Sequence, residues 1–171
     1  MRTQEIIEAY GKTHIYMVGM DDNPQPKHVE VIIKSVKHDN IFSGGKRHYE
    51  IVKPFLPADA VWIEIKAPIN AVLAEYSRLI QEGKVIVSFV SGDSFFFGFA
   101  STIQKNLLGL GMKVFPYFNS LQMFAHHEQI PYENMHAVSV TGRPWHELDR
   151  ALLECRPLIG VLTDHVHTPR A

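Results

Sequence analysis

Along the chain, short apolar runs alternate with stretches in which apolar residues return every three or four positions. Seven runs have the composition of strands: HIYMVGM (14–20), NIFSG (40–44), AVWIEI (60–65), KVIVSFV (84–90), MKVFPY (112–117), MHAVSVT (135–141) and LIGVLT (158–163). Most are apolar almost throughout, as strands covered by helices on both faces must be. Between them, KHVEVIIKSVKHD, NAVLAEYSRLIQEG, FGFASTIQKNLLGLG, NSLQMFAHHEQ and WHELDRALLE show the i, i+3, i+4 recurrence of amphipathic helices. This alternation predicts an α/β fold with a mostly parallel sheet. One helix is marked at both ends, by Asn70 as N-cap after Pro68 and by Gly83 as the left-handed residue past its last turn.

IPYENM (130–135) closes a helix and leads into a strand, and GRPW (142–145) is a turn-rich break. A boundary follows, which divides the chain into an N-terminal α/β domain, 1–131, and the start of a second, 132–171. After that boundary only strand, helix and strand remain. Such a piece cannot bury both faces of its sheet by itself, so a packing partner or further chain is expected.

Composition narrows the chemistry. A net charge of −1 with 20% charged residues lacks the basic excess of a nucleic-acid footprint. Cys155 is the only cysteine, which excludes an internal disulfide and suits a reducing cytoplasm. No apolar stretch is long enough for a membrane span, and the amino terminus has no apolar signal core. The ten histidines are scattered without metal-ligand spacing, so no metal is expected. GGKRH (44–48) lacks the leading glycine and the Ser or Thr of a phosphate loop. No strand is followed by GxGxxG, and no GxSxG elbow is present.

Three strand ends stand out. In SFVSGDSFFFGFAST (88–102) a buried strand runs into Ser91-Gly92-Asp93 and then into a helix expected to begin near Phe95, with Asp93 as its cap in the plainer reading. In open α/β sheets ligands bind at the carboxyl ends of strands, where turns and helix amino termini present N–H groups. Gly19, before the loop MDDNP, allows close backbone approach. Asn119 and Ser120 sit at a helix start, where they can cap it or bind a ligand.

Taken in order, the loop after IYMVG, SGGKRHYE, SGDSFFFG, PYFNSLQ and VSVTGRPW resemble the motif set of the precorrin-6Y C5,15-methyltransferase (cobalt-precorrin-7 C5-methyltransferase) family, within the tetrapyrrole methylase superfamily. The resemblance covers nearly all of 14–168. It implies two α/β domains with S-adenosyl-L-methionine held between them. It further implies that Gly19, the loop to Pro24, Ser91, Gly92, Asp93, Phe96, Asn119, Ser120, Thr141 and Gly142 line the cofactor. A corrin precursor would be the methyl acceptor, with Lys46, Arg47, His48 and Arg143 as counter-charges to its carboxylates, and a homodimer is the expected assembly. Three positions depart from the superfamily pattern: GMDDNPQP replaces GxGPGD, Ser94 replaces the proline of SGDP, and Tyr117 replaces a glycine in the PGxSS block. No catalytic side chain is singled out. The implied acceptor is a ring carbon already nucleophilic through its conjugated macrocycle, so alignment and water exclusion carry the reaction. The competing readings are a relative acting on another acceptor, an inactive fragment serving as an oligomeric or ligand-binding module, and, last, a nicotinamide-dependent reductase.

Overall fold

The computed structural model describes residues 11–170. The chain divides into two compact units between Phe118 and Asn119. The first holds five parallel strands, β1 (Ile15–Met20), β2 (Ile41–Gly44), β3 (Val61–Glu64), β4 (Ile86–Ser91) and β5 (Met112–Phe115), in the order β3-β2-β4-β1-β5. Among the described residues, four helices accompany them: α1 (Lys27–Ser35), α2 (Lys46–Val52), α3 (Ile69–Gln81) and α4 (Phe99–Asn106).

Alternation along the central strands sorts the core into two layers. Ile15, Met17, Ile86 and Val90 pack with Val72, Leu73, Tyr76 and Leu79 of α3 and with Ala100 and Ile103 of α4. Val18, Met20, Val87 and Phe89 pack on the other face with Val29 and Ile33 of α1 and Val52 of α2. Both faces of the sheet are therefore covered, which is why the strands read as unbroken apolar runs.

Three local expectations change. Pro68, not Asn70, occupies the N-cap of α3; Asn70 lies inside the helix and exposed, and no side chain caps this end. Proline fits because a helix's first amides have no intrahelical carbonyl to meet. α4 begins at Phe99 rather than near Phe95, because Phe97 has φ +52 and Gly98 is extended. α2 and the 3-10 turn Lys53–Phe55 after it were not evident from periodicity. Gly83 takes the expected left-handed position, φ +76.

The second unit contains α5 (Ser120–Glu128), β6 (His136–Ser139), α6 (His146–Leu153) and β7 (Ile159–Leu162), with β6 and β7 paired in parallel. This division falls earlier than the expected boundary at 131. Leu121 of α5 lies directly over Gly160 of β7, which groups the helix with the second sheet.

Candidate functional site

β1 and β4 are neighbours, with Gly19 level with Val90 and Met20 level with Ser91, so the two strands end together. β1 leads to α1 on one face and β4 leads to α4 on the other. Chain leaving adjacent strands toward opposite faces opens a crevice at their carboxyl ends, the usual ligand position in such sheets.

The backbone is drawn tight at that crevice. A Cβ on Gly19 would overlap the Gly92 carbonyl oxygen and lie 2.7 Å from the Tyr117 nitrogen. Gly92, at φ +60, donates its N–H to Met20 O (2.8 Å) and accepts from Tyr117 N–H (3.3 Å). His28 Nε2 lies 3.1 Å from Gly19 O, and its ring stacks on Tyr117 with centroids 4.7 Å apart and planes 9° apart. The amides of Gly92 and Tyr117 are thus used to hold strand ends rather than offered to a ligand. Among the described residues, the amides of Asp93 and Ser94 carry no hydrogen bond; Ser94 is buried, and the half-buried Asp93 offers the more accessible donor.

Asp93 closes a turn instead of capping a helix: its Oδ1 accepts from Phe95 N–H (2.9 Å) and its carbonyl from Phe96 N–H (3.1 Å). Phe96 is half-buried and meets Phe97 edge-on at 5.0 Å. In the first loop, Asp21 Oδ1 accepts from Asn23 N–H (3.1 Å) and Asn23 Oδ1 from Gln25 N–H (2.9 Å). Two successive Asx turns thereby build a loop that contains no glycine between Met20 and Pro26. Pro24 lines a shallow hollow with Lys27, Glu30, Pro54 and Phe55.

The GGKRH stretch is the amino terminus of α2, with Gly45 at the N-cap. Arg47 Nε pairs with Asp22 Oδ1 at 3.0 Å, and Arg47 Nη2 donates to Ser91 Oγ at 2.8 Å. His48 Nε2 lies 3.1 Å from the same oxygen, while its Nδ1 accepts from Gly45 N–H at 3.2 Å. Burial, followed by the adjacent Arg47 guanidinium, pushes His48 down to about 4, with Asp22 opposing. Lys46 is exposed and has no hydrogen bond or ion pair among the described residues. Gly19, Ser91, Gly92, Arg47 and His48 therefore gather at the carboxyl ends of the inner strands. Asp22, His28 and Tyr117 join them without a sequence signal of their own, since each contact spans a turn or more of chain.

The remaining expected site residues belong to the second unit. Asn119 caps α5: its Oδ1 accepts from Gln122 N–H and its N–H donates to Gln122 Oε1, both at 2.9 Å. Ser120 is exposed and borders an apolar groove of about 720 Å³ between α5, α6 and β7, lined by Leu121, Phe124, Met135 and Trp145 among others. Thr141 Oγ1 donates to Thr163 O (3.3 Å), and Gly142, φ +58, donates its N–H to Asp164 Oδ2 (2.8 Å). Asp164 also accepts the amides of His167 and Val166, and these bonds, His167 first and Gly142 next, hold its carboxyl well below the usual range. Arg143 follows with its amide on Val140 O, 3.2 Å. Among the described residues, no three His, Cys, Asp or Glu side chains are grouped to hold a metal, and no helix is long and apolar enough to cross a membrane.

No family model matches the sequence, and no curated protein does. Solved structures do share its architecture. The chain is similar to the cobalamin biosynthesis precorrin-6Y methylase of Archaeoglobus fulgidus, at 17% identity and a TM-score of 0.60, over 88% of this chain and 73% of that one. It is similar to the methyltransferase CobJ at 15% identity and a TM-score of 0.63, over 82% of this chain and 62% of that one. It is also similar to the uroporphyrin-III-C-methyltransferase of Thermus thermophilus at 18% identity and a TM-score of 0.54, over 74% of this chain and 60% of that one. The chain thus spans less than two thirds of the latter two. At these identities the likeness is one of fold: the tetrapyrrole methylase α/β architecture.

Proposed function

We propose that the chain belongs to a methyltransferase that uses S-adenosyl-L-methionine to methylate a carbon of a corrin precursor, at C5 of precorrin-6Y or cobalt-precorrin-7. The observation that carries this is the β1–β4 crevice, where a Cβ on Gly19 would meet the Gly92 carbonyl oxygen and the Tyr117 nitrogen, Gly92 takes φ +60, and among the described residues the amide of half-buried Asp93 carries no hydrogen bond. A donor there suits the carboxylate, ribose oxygens or adenine nitrogens of the cofactor. Ser91, Gly92, Asp93 and Phe96 of the first unit would hold it. When bound, its sulfonium supplies the electrophilic methyl group. The chain's own residues orient the reactants and exclude water, an effect worth about 7–11 kcal/mol when alignment is close to the reacting geometry. Lys46 and Arg143 supply charge to substrate carboxylates. The fold shared with structures named as precorrin and uroporphyrin methylases supports the substrate class.

A second reading, an inactive module that assembles with a copy of itself, is favoured by the apolar groove of the second unit. Calorimetric titration of S-adenosylhomocysteine into the chain, followed by product analysis with the corrin precursor, separates the two. Saturable heat and a C5-methylated product support the methylase. No heat together with a tight dimer on sizing supports the module.

A further inference from the structure

Ser91 ends β4 at the crevice, and its hydroxyl oxygen is approached from two sides by the same helix start. Arg47 Nη2, at 2.8 Å, can only donate. His48 Nε2, at 3.1 Å, donates or accepts according to where its ring proton sits. The other ring nitrogen decides this. Nδ1 faces the Gly45 amide at 3.2 Å, and an amide N–H is an obligatory donor, so Nδ1 carries no proton and Nε2 must. The groups charged against this ring are Arg47 and Asp22, and burial with Arg47 outweighs Asp22, so the ring stays neutral at pH 7 in the form the geometry demands.

A hydroxyl has two lone pairs and one proton. Both lone pairs of Ser91 Oγ are therefore engaged, and its proton is left with no acceptor among the described residues. We infer that Arg47 and His48 are positioning residues that fix Ser91 as a hydrogen-bond donor to an acceptor atom of the molecule bound at the β1–β4 crevice. Their donors are turned inward on Ser91 and Asp22, so they act on the ligand through that hydroxyl rather than by meeting substrate carboxylates. The inference rests on the proposed function, since an S-adenosyl compound offers carboxylate and ribose oxygens as acceptors.

The test has two arms on the full chain. In the first, the ¹⁵N spectrum of histidine-labelled protein, with His48 assigned by its loss in His48→Gln, should show the Nε2–H tautomer at pH 7 and protonation only near pH 4. An Nδ1–H tautomer or an imidazolium at pH 7 overturns the inference. In the second, S-adenosylhomocysteine is titrated by calorimetry. Ser91→Ala should weaken binding about tenfold, the worth of one neutral hydrogen bond. Arg47→Met and His48→Ala should each weaken it several-fold alone and add nothing to Ser91→Ala. His48→Gln, which keeps an N–H near the Nε2 position, should restore most of the His48→Ala loss. Losses that add to that of Ser91→Ala overturn the inference while leaving the cofactor assignment standing. Failure of the unaltered chain to bind S-adenosylhomocysteine overturns the proposed function and the ligand contact together, whatever the tautomer.

Discussion

The two units use a crowded glycine in opposite ways. Gly19 in the first faces backbone: the Gly92 carbonyl and the Tyr117 nitrogen occupy the space where a Cβ would go. Gly160 in the second faces the ends of flexible side chains, Met135 Sδ and Leu121 Cδ1 (2.8 Å). The surroundings differ in the same sense. β1 and β4 lie in a sheet covered on both faces, whereas β6 and β7 form a two-stranded pair beside an apolar groove, with Phe124, Leu152 and Leu153 exposed. A close approach between backbones cannot relax without moving strands, but one made by side-chain ends can. Rigidity is thus concentrated where the first unit's crevice lies, which favours a preorganised site there.

The largest expected effect is a direct break of that contrast. Gly19→Ala should cost about 3 kcal/mol, the upper end for overpacking a core, because β1 and β4 must separate. Gly160→Ala should cost less than about 1 kcal/mol, as Met135 and Leu121 rotate aside and the less flexible alanine lowers unfolded-state entropy. Denaturant midpoints for both variants check this, and equal losses would erase the distinction between the units.

A smaller effect separates the units by pH. Tyr76 is fully buried in the first unit, donates to Ser88 Oγ at 3.0 Å, and is pushed up to about 12 by burial, opposed by its hydrogen bonding with the Ser43 and Ser88 hydroxyls. Its folded value lies above the unfolded one, so its stability contribution is complete below pH 10 and is lost as pH rises from 10 to 12. In Trp145→Phe protein, the fluorescence of Trp62 should report a denaturant midpoint that falls across this window. Tyr76→Phe should abolish the fall, at a cost of about 1 kcal/mol at neutral pH.

The second unit should respond at the acid end. Asp164 is depressed, so its contribution is present above the ordinary carboxylate value of 3.8 and lost as pH falls below it. Trp145 meets His167 edge-on at 5.4 Å and reports on this loop. In Trp62→Phe protein, its signal should change below pH 3.8, and Asp164→Asn should remove that step and speed exchange of the Gly142 amide. A step that survives in Asp164→Asn would assign it to another carboxylate.

These contrasts also explain what was legible in the sequence. All seven strands were readable because burial on both faces, or close packing under a helix, leaves long apolar runs such as IVSFV. α2 was not, because KRHYEIV opens with three polar side chains and its N-cap is a glycine with no side-chain signal. The start of α4 was set too early because Phe95 to Phe97 continue an apolar pattern, and only the positive φ of Phe97 shows the break. At the site, the strand-end glycines and Ser91 were visible as turn chemistry. The inward aim of Arg47 and His48 was not, since it depends on Asp22 and Ser91, which the fold brings from distant strands. His28 likewise gives no hint in sequence that it supports the Gly19 carbonyl and stacks on Tyr117.

The smallest expected effect concerns Ser94, the residue standing where the superfamily pattern has proline. It is buried, and among the described residues its Oγ is the one buried side-chain polar atom without a partner. A buried hydroxyl that makes no hydrogen bond opposes folding, and alanine fills nearly the same space without it. Ser94→Ala should therefore raise stability by about 0.5–1 kcal/mol, read as an increase in the midpoint reported by Trp62. Among the described residues the Ser94 amide has no partner either, so the turn depends on the backbone around Gly98, where a Cβ would lie 2.8 Å from the Ser94 carbonyl carbon. Gly98→Ala should then cost more than Ser94→Ala gains. The reverse order would mean that the backbone around Gly98 relaxes to admit a methyl group, and that the close contact does not hold the crevice wall in place.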